Sequence, residues 1–233
     1  MQKIVKKLFL GNHDANQKRP ESVLRRRANN ITSIWHNQTQ DDIGIEKILR
    51  LFLALTQFLF IGTYLKHVFG KKGISYQELA VDAYVVFKLI FPLYILYTGA
   101  EHYFILYFLL IWFVIETILY IPTLIFASDI FTKPRSYRRS MLLLFMNYLE
   151  IIFSFAVIYA RGNYMNQPFT HWYDPIYFSC ITSFTVGYGD FFPVTPVGKF
   201  LVSMQSLIFL VFVVLFLNFF SNKVEKRGYF NNE

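Results

Sequence analysis

Thr185-Val186-Gly187-Tyr188-Gly189-Asp190 lies between two long apolar segments, 141–160 and 199–220. Gly187 and Gly189 free the backbone for angles that a residue with a Cβ resists. Successive carbonyls can therefore face the same way. A Gly-Tyr-Gly alone would fit a tight turn; six residues in this order between two apolar segments are far more specific. Further apolar stretches lie upstream, at about 48–65, 81–99 and 103–127. Each of the five is near or above the roughly 17–25 residues that cross a bilayer as a helix. In lipid the backbone must satisfy its own hydrogen bonds, so helices are expected. The composition agrees: 55% of residues are hydrophobic and 20% aromatic, and only 16% are charged, below the roughly 25% usual in soluble domains. The fold class expected is an all-α membrane protein.

At the hexapeptide the sequence resembles the potassium channel family. The resemblance covers roughly the last third of the chain, Arg139 to Arg227, and is closest to bacterial channels of two membrane helices and a pore loop. It implies an outer helix at 141–160, an extracellular turret at 161–172, a pore helix from Asp174-Pro175 to about Phe184, a selectivity filter and an inner helix at 199–220. Asp is a favoured N-cap and Pro a favoured first-turn residue. In such channels four Thr-Val-Gly-Tyr-Gly loops replace the hydration shell of a potassium ion with backbone carbonyls. Thr185, Val186, Gly187, Tyr188 and Gly189 inherit that role, with K+ expected at Thr185, Val186, Gly187 and Tyr188. Asp190 matches the acidic residue behind the filter that bonds a pore-helix aromatic, here Tyr177. Pro193, Thr195 and Gly198-Lys199 lead on to the inner helix.

The chain departs from the family pattern in three places. Phe184 stands where Thr or Ser is usual just before the filter, so it joins Asp190 and Tyr177 as a filter-support candidate. Ile181 stands where some bacterial members place a carboxylate, which puts that kind of inactivation in doubt. The inner helix, Lys199 to Lys223, contains no glycine or proline, so neither a glycine hinge nor a proline kink is expected.

Charge placement gives the expected topology. Net charge is +8, and the basic residues gather in tails and linkers. Arg25-Arg26-Arg27 mark the tail 1–47, Lys133, Arg135, Arg138 and Arg139 the linker 128–140, and Lys223, Lys226 and Arg227 the tail 221–233. All three are expected on the cytoplasmic side. An odd number of crossings cannot join the first two, so either 48–65 lies in or re-enters the interface, or the N-terminus is outside. The favoured organisation is a cytoplasmic tail at 1–47 with one short helix, two or three accessory membrane helices in 48–127, a linker at 128–140, a pore domain at 141–220 and a tail at 221–233. The N-terminus is not expected to be a signal peptide, because only Leu8-Phe9-Leu10 follows Lys6 and Lys7.

Leu79 to Phe126 reads as a helical hairpin turning at Gly99-Ala100-Glu101-His102. Lys88 and Glu116 lie at similar depth, about 20 Å from that turn at 1.5 Å per residue, so they are candidates to pair. Glu150 lies mid-way along the outer helix and is a candidate to face the accessory helices. Cys180 is the single cysteine and is expected to be a packing residue. No helix carries Arg or Lys at every third position, so an arginine-rich voltage sensor is not expected. The tail 221–233 is expected to be too short for a cyclic-nucleotide or calcium-binding gating domain. No phosphate loop, zinc spacing or nucleophile constellation stands out.

These readings lead to a plasma-membrane, multi-pass, potassium-selective channel that passes K+ passively. It is not an enzyme and takes no cofactor beyond the permeant ion. Its partners are itself, as a homotetramer because each chain supplies one filter loop, and membrane lipids; no nucleic acid or small-molecule substrate is expected. The alternatives are a weakly selective cation channel, a non-conducting regulatory subunit, and a subunit of the related transporters that join four degenerate loops in one chain.

Overall fold

The computed structural model of the protein describes residues 23–37, 43–71, 73–126 and 137–224. Expectations for 1–22, for most of the linker 128–140 and for 225–233 fall outside the described residues. The described residues are helical, with no strand among them: α1 (Val23–Trp35), α2 (Ile45–Thr56), α3 (Ile61–Gly70), α4 (Ile74–Thr98), α5 (Phe104–Phe126), α6 (Tyr137–Arg161), α7 (Asp174–Ser183) and α8 (Pro196–Val224). Ile74–Thr98, Arg138–Arg161 and Pro196–Leu217 are long and apolar enough to cross a membrane, and the pair α2–α3 would be a fourth span if taken together. The protein is a multi-pass, all-α membrane protein. The chain divides into two compact units, 1–87 with 122–132, and 88–121 with 133–233.

In the first unit the apolar run expected at 48–65 is not one straight helix. Helices α2 and α3 meet at a bend of 60°. The break is built by local side chains. The backbone N–H groups of Phe58 and Leu59 bond back to Leu55 and Thr56. The Thr63 hydroxyl donates to the Gln57 carbonyl at 3.0 Å, and Tyr64 donates to the Phe58 carbonyl at 2.8 Å. Those two carbonyls therefore find partners without a continuing helix, which lipid requires of any exposed break. The Arg27 guanidinium of α1 donates to the buried side-chain carbonyl of Gln57. Leu53, Ala54, Phe60 and Ile34 fill the core around this bond.

The second unit is organised around α6. Its residues Ile151, Ile152, Ala156, Val157 and Tyr159 are almost wholly buried, because α7 and α8 both pack on it. Upstream, α4 ends at Thr98, the chain turns through Gly99 (φ 65°) and a short 3-10 turn, Ala100–His102, and α5 begins at Phe104. The expected hairpin is present: Phe91 of α4 meets Phe113 of α5 edge-on at 5.6 Å. At the far end of α6 the Arg161 guanidinium lies 3.8 Å from the centre of the Tyr107 ring. Cation–π contact suits a charge that must leave water while staying near it.

Three charged residues of these helices, Lys88, Glu116 and Glu150, are buried. Lys88 donates to the Thr117 hydroxyl, Thr117 donates to the Glu150 carboxylate at 2.7 Å, and Lys88 Nζ lies 3.7 Å from that carboxylate. Glu116 stands near enough for its charge to act on Glu150. Glu150 of α6 thus supplies Lys88 with an ion-pair partner from outside the hairpin.

Removing one member of a buried pair leaves the other charge uncompensated, at a cost of about 3–5 kcal/mol. Lys88→Leu should therefore lower the thermal stability of the solubilised protein strongly. Combining it with Glu150→Leu should restore part of the loss, because Glu116 stays buried in the cluster. Additive destabilisation in the double variant, read from melting curves, would remove this cluster as a link between α4 and α6.

Candidate functional site

Helix α7 has 10 residues, which is about 15 Å at 1.5 Å per residue, too short to cross a membrane. Its buried face carries Pro175, Phe178, Ser179, Ile181 and Ser183, which seat it against α6 and α8. Phe178 packs edge-on against Tyr159 at 5.0 Å. Cys180 is free and half-buried on the same helix. The C-terminal, negative end of the helix dipole leads directly into loop 184–190.

The backbone of that loop alternates. Thr185, Gly187 and Gly189 have φ of 57°, 57° and 83°, while Val186 and Tyr188 between them keep negative φ. Alternating left- and right-handed angles turn every peptide plane the same way, so successive carbonyls line one side. Glycine adopts such angles freely. Thr185 does not, since a β-branched residue at positive φ is a genuine outlier. It is held by neighbours: its N–H bonds to the Thr182 carbonyl at 3.2 Å, and the Val186 N–H to the Ile181 carbonyl at 2.8 Å. Backbone strain of this kind persists where the surroundings over-determine it, and points to a function. A row of carbonyls with one common direction can coordinate a dehydrated monovalent cation.

The turn after the loop is anchored by residues that the sequence reading passed over. Asn166 and Gln167 donate their side-chain amides to the Asp190 carbonyl at 3.0 and 3.2 Å. The Asn166 side-chain oxygen accepts the Phe192 N–H at 2.9 Å, and the Asn166 N–H bonds back to the Phe192 carbonyl. Further on, Val194 N–H bonds to the Tyr164 carbonyl at 2.9 Å. Asn and Gln in a turret between apolar helices were the available signal. Gly198 closes this packing: a Cβ there would stand 2.9 Å from the Tyr164 Cβ and 3.1 Å from the Pro193 Cβ, so α8 can start this close only with glycine.

The three support candidates lie on different sides of the loop. The Tyr177 phenol is pushed above its ordinary value by desolvation first, and then by its hydrogen bond to the Asp190 carboxylate. Phe184 caps the C-terminus of α7 and meets Tyr148 of α6 edge-on at 6.3 Å. Tyr148 in turn packs on Phe212 of α8 at 4.9 Å. Behind α7 lies a polar group that the sequence reading also missed, formed by Tyr159, Ser179, Ser183 and Gln205, all at most 1% exposed. Among the described residues no three His, Cys, Asp or Glu side chains gather as a metal cluster.

Asp174 differs from expectation. It is the first residue of α7, and the N-cap position belongs to Tyr173, whose side chain makes no capping bond. The Asp174 carboxylate reaches backwards instead, accepting the N–H groups of Thr170 and His171, each at 2.8 Å, and the Thr170 hydroxyl at 3.1 Å. Three donors upstream outcompete the helix's own free N–H groups. Burial pushes this carboxyl up, but those hydrogen bonds outweigh it and hold the group below its ordinary value.

Residues 141–226 match the model of a family described as "Ion channel". The match supports an ion channel family. It covers α6, α7, the alternating loop and α8, and stops short of α1–α5. No curated protein and no solved structure matches the chain.

The depressed Asp174 carboxyl sets a pH dependence. A folded-state value below the unfolded one adds stability that is present above the unfolded value, near 3.9, and is lost as pH falls through the folded value. Asp174→Ala should therefore be less heat-stable than the parent at neutral pH. The gap should close only when pH drops below the ordinary carboxylate range. A gap independent of pH would detach the stabilisation from the charge.

Proposed function

We propose that the protein is a potassium-selective channel, formed by four copies of this chain, that passes K+ passively down its electrochemical gradient. The observation that carries the reading is the alternation of φ at Thr185, Gly187 and Gly189, in a loop following a short helix. In this reading Thr185, Val186, Gly187, Tyr188 and Gly189 form the filter, with K+ held at Thr185 to Tyr188. Asp190, Tyr177 and Phe184 support it from behind. The chain acts as a channel, not an enzyme, and needs no cofactor beyond the permeant ion.

Four-fold assembly is supported by what one chain leaves uncovered. Val186 and Tyr188 of the loop are 49% and 72% exposed. Phe200, Leu207, Leu210, Val214 and Leu217 form an exposed stripe along α8 with the three-to-four spacing of one helix face. Neighbouring copies and lipid are the natural cover for such surface. Residues 48–127 are then accessory to a pore domain at 141–220, and the tails at 1–47 and 221–233 face the cytoplasm. Labelling of single cysteines placed near each end, from one face of sealed vesicles, tests that topology; opposite accessibility of the two ends would overturn it.

Reconstituted protein should show reversal potentials near those of a K+ electrode in mixed K+ and Na+. Equal permeability to the two ions would defeat the selectivity assignment and implicate Phe184. Gly187→Ala places a Cβ at φ 57°, at about 1–2 kcal/mol per subunit, and should abolish flux while leaving the oligomer's size unchanged. Normal flux in that variant would rule out loop 185–189 as the filter.

Opening should depend weakly on voltage. Steep dependence needs three or four charges per subunit moving through the field, each worth about 2.3 kcal/mol per 100 mV. The accessory segments offer Arg50, Lys66 and Lys88, and Lys88 is ion-paired with Glu150. An effective gating charge close to that of voltage sensors, from open probability against voltage, would show that a sensor resides in 48–140.

A further inference from the structure

The polar group behind α7 joins three helices through one side chain. Gln205 lies nine residues into α8, which begins at Pro196, and is 1% exposed. Tyr159 of α6 donates its hydroxyl to the Gln205 side-chain oxygen at 2.6 Å. The Ser179 carbonyl, 3.1 Å from the other end of the amide, can only accept, and this fixes which end is NH2. The NH2 then points at α7. It donates to the Ser179 hydroxyl at 2.8 Å, the Ser183 hydroxyl at 2.6 Å and the Ser179 carbonyl at 3.1 Å. Ser179 in turn donates its own hydroxyl to the Ile152 carbonyl of α6 at 2.6 Å. The Tyr159 hydroxyl, the Gln205 amide and the Ser179 hydroxyl each have an acceptor.

Ser179 and Ser183 are four residues apart, so they lie on one face of α7. Ser183 is two residues before Thr185, the strained first residue of the alternating loop. An amide in an apolar helix is costly and requires partners, and here its partners are the last turn of the helix that carries the loop. The 199–223 stretch of α8 has neither glycine nor proline, so no built-in hinge absorbs its displacement. A shift of α8 near Gln205 must move α7 or break these bonds.

We propose that Gln205 is a positioning residue for the ion site: it ties the inner helix to the last turn of α7 and so sets how loop 185–189 discriminates between K+ and Rb+ and how long it stays conducting. The proposal rests on the potassium channel reading above. It adds that the loop takes its geometry from α8 through Gln205, as well as from its own sequence.

The test uses Gln205→Met combined with Tyr159→Phe. Methionine keeps the volume, and removing the phenol with the amide leaves no buried hydroxyl facing the lost acceptor. The reconstituted double variant should assemble with parental size. Its Rb+-to-K+ conductance ratio and its mean open time should each change about threefold or more, the scale of one hydrogen bond. Ser183→Ala should produce a change in the same direction. Added to the double variant it should have little further effect, because coupled residues are not additive. Where the double variant does not assemble, Ser183→Ala, which deletes a single acceptor, carries the same measurement. A parent that conducts K+ selectively, with variants that keep its ratio and open time, overturns the role of Gln205 alone. An intact parent oligomer that passes no K+ overturns the channel reading and this proposal with it.

Discussion

Carbonyls that all face one way turn away from the donors of their own backbone, and a membrane offers no water to satisfy them. Loop 185–189 adopts this arrangement by alternating the sign of φ, and at Thr185 it does so against the preference of a β-branched residue. Strain of about 1–3 kcal/mol at such a residue lasts only when its surroundings leave no alternative. The second unit supplies those surroundings from three directions. The last turn of α7 bonds the N–H groups of Thr185 and Val186. Asn166 and Gln167 grip the far end at Asp190. Tyr148 and Phe184 fill the space toward α6 and α8.

Two of the buried polar groups in the second unit do different work. Lys88, Thr117 and Glu150 join the accessory hairpin to α6. Their link is ionic, so each member is costly without the others. Tyr159, Gln205, Ser179 and Ser183 join α6, α7 and α8. Those groups are neutral, and their value is directional: hydroxyl and amide donors fix a rotation of α7 that apolar packing would leave loose. Helix α6 contributes to both, at Glu150 and at Tyr159, about two and a half turns apart.

The parts of this architecture that could be read from the chain are those with local signals. Helical segments follow from apolar runs, the hairpin turn from Gly99, and the start of α7 from Asp174-Pro175. The misses share a cause: each depends on a partner far away in sequence, or on competition between donors. The break at 57–60 falls inside an apolar run, because the Thr63 and Tyr64 hydroxyls take over the Gln57 and Phe58 carbonyls. Depth along an axis says nothing of the direction a side chain faces, so the bond from Thr117 to Glu150 on a third helix could not be read from it. Asp174 was legible as a helix-start residue, yet its carboxylate turned to Thr170 and His171. Gln205 was visible as an amide in an apolar helix. Its partners were not, since Ser179 and Ser183 read as ordinary small residues of a short helix.

The absence of glycine and proline from 199–223 and the position of Gln205 bear on each other. An inner helix that can bend at a hinge could move its cytoplasmic end without disturbing the end near the loop. Helix α8 offers no such hinge, and its polar tie to α7 lies only nine residues from its start. Motion of the far end of a stiff rod is then a rotation about its held end, and the held end carries the Ser179 and Ser183 bonds. Loop 185–189, α7 and α8 are on this account one mechanical element. Whatever displaces α8 near Gln205 acts through the Ser179 and Ser183 bonds on the last turn of α7, which leads into the loop.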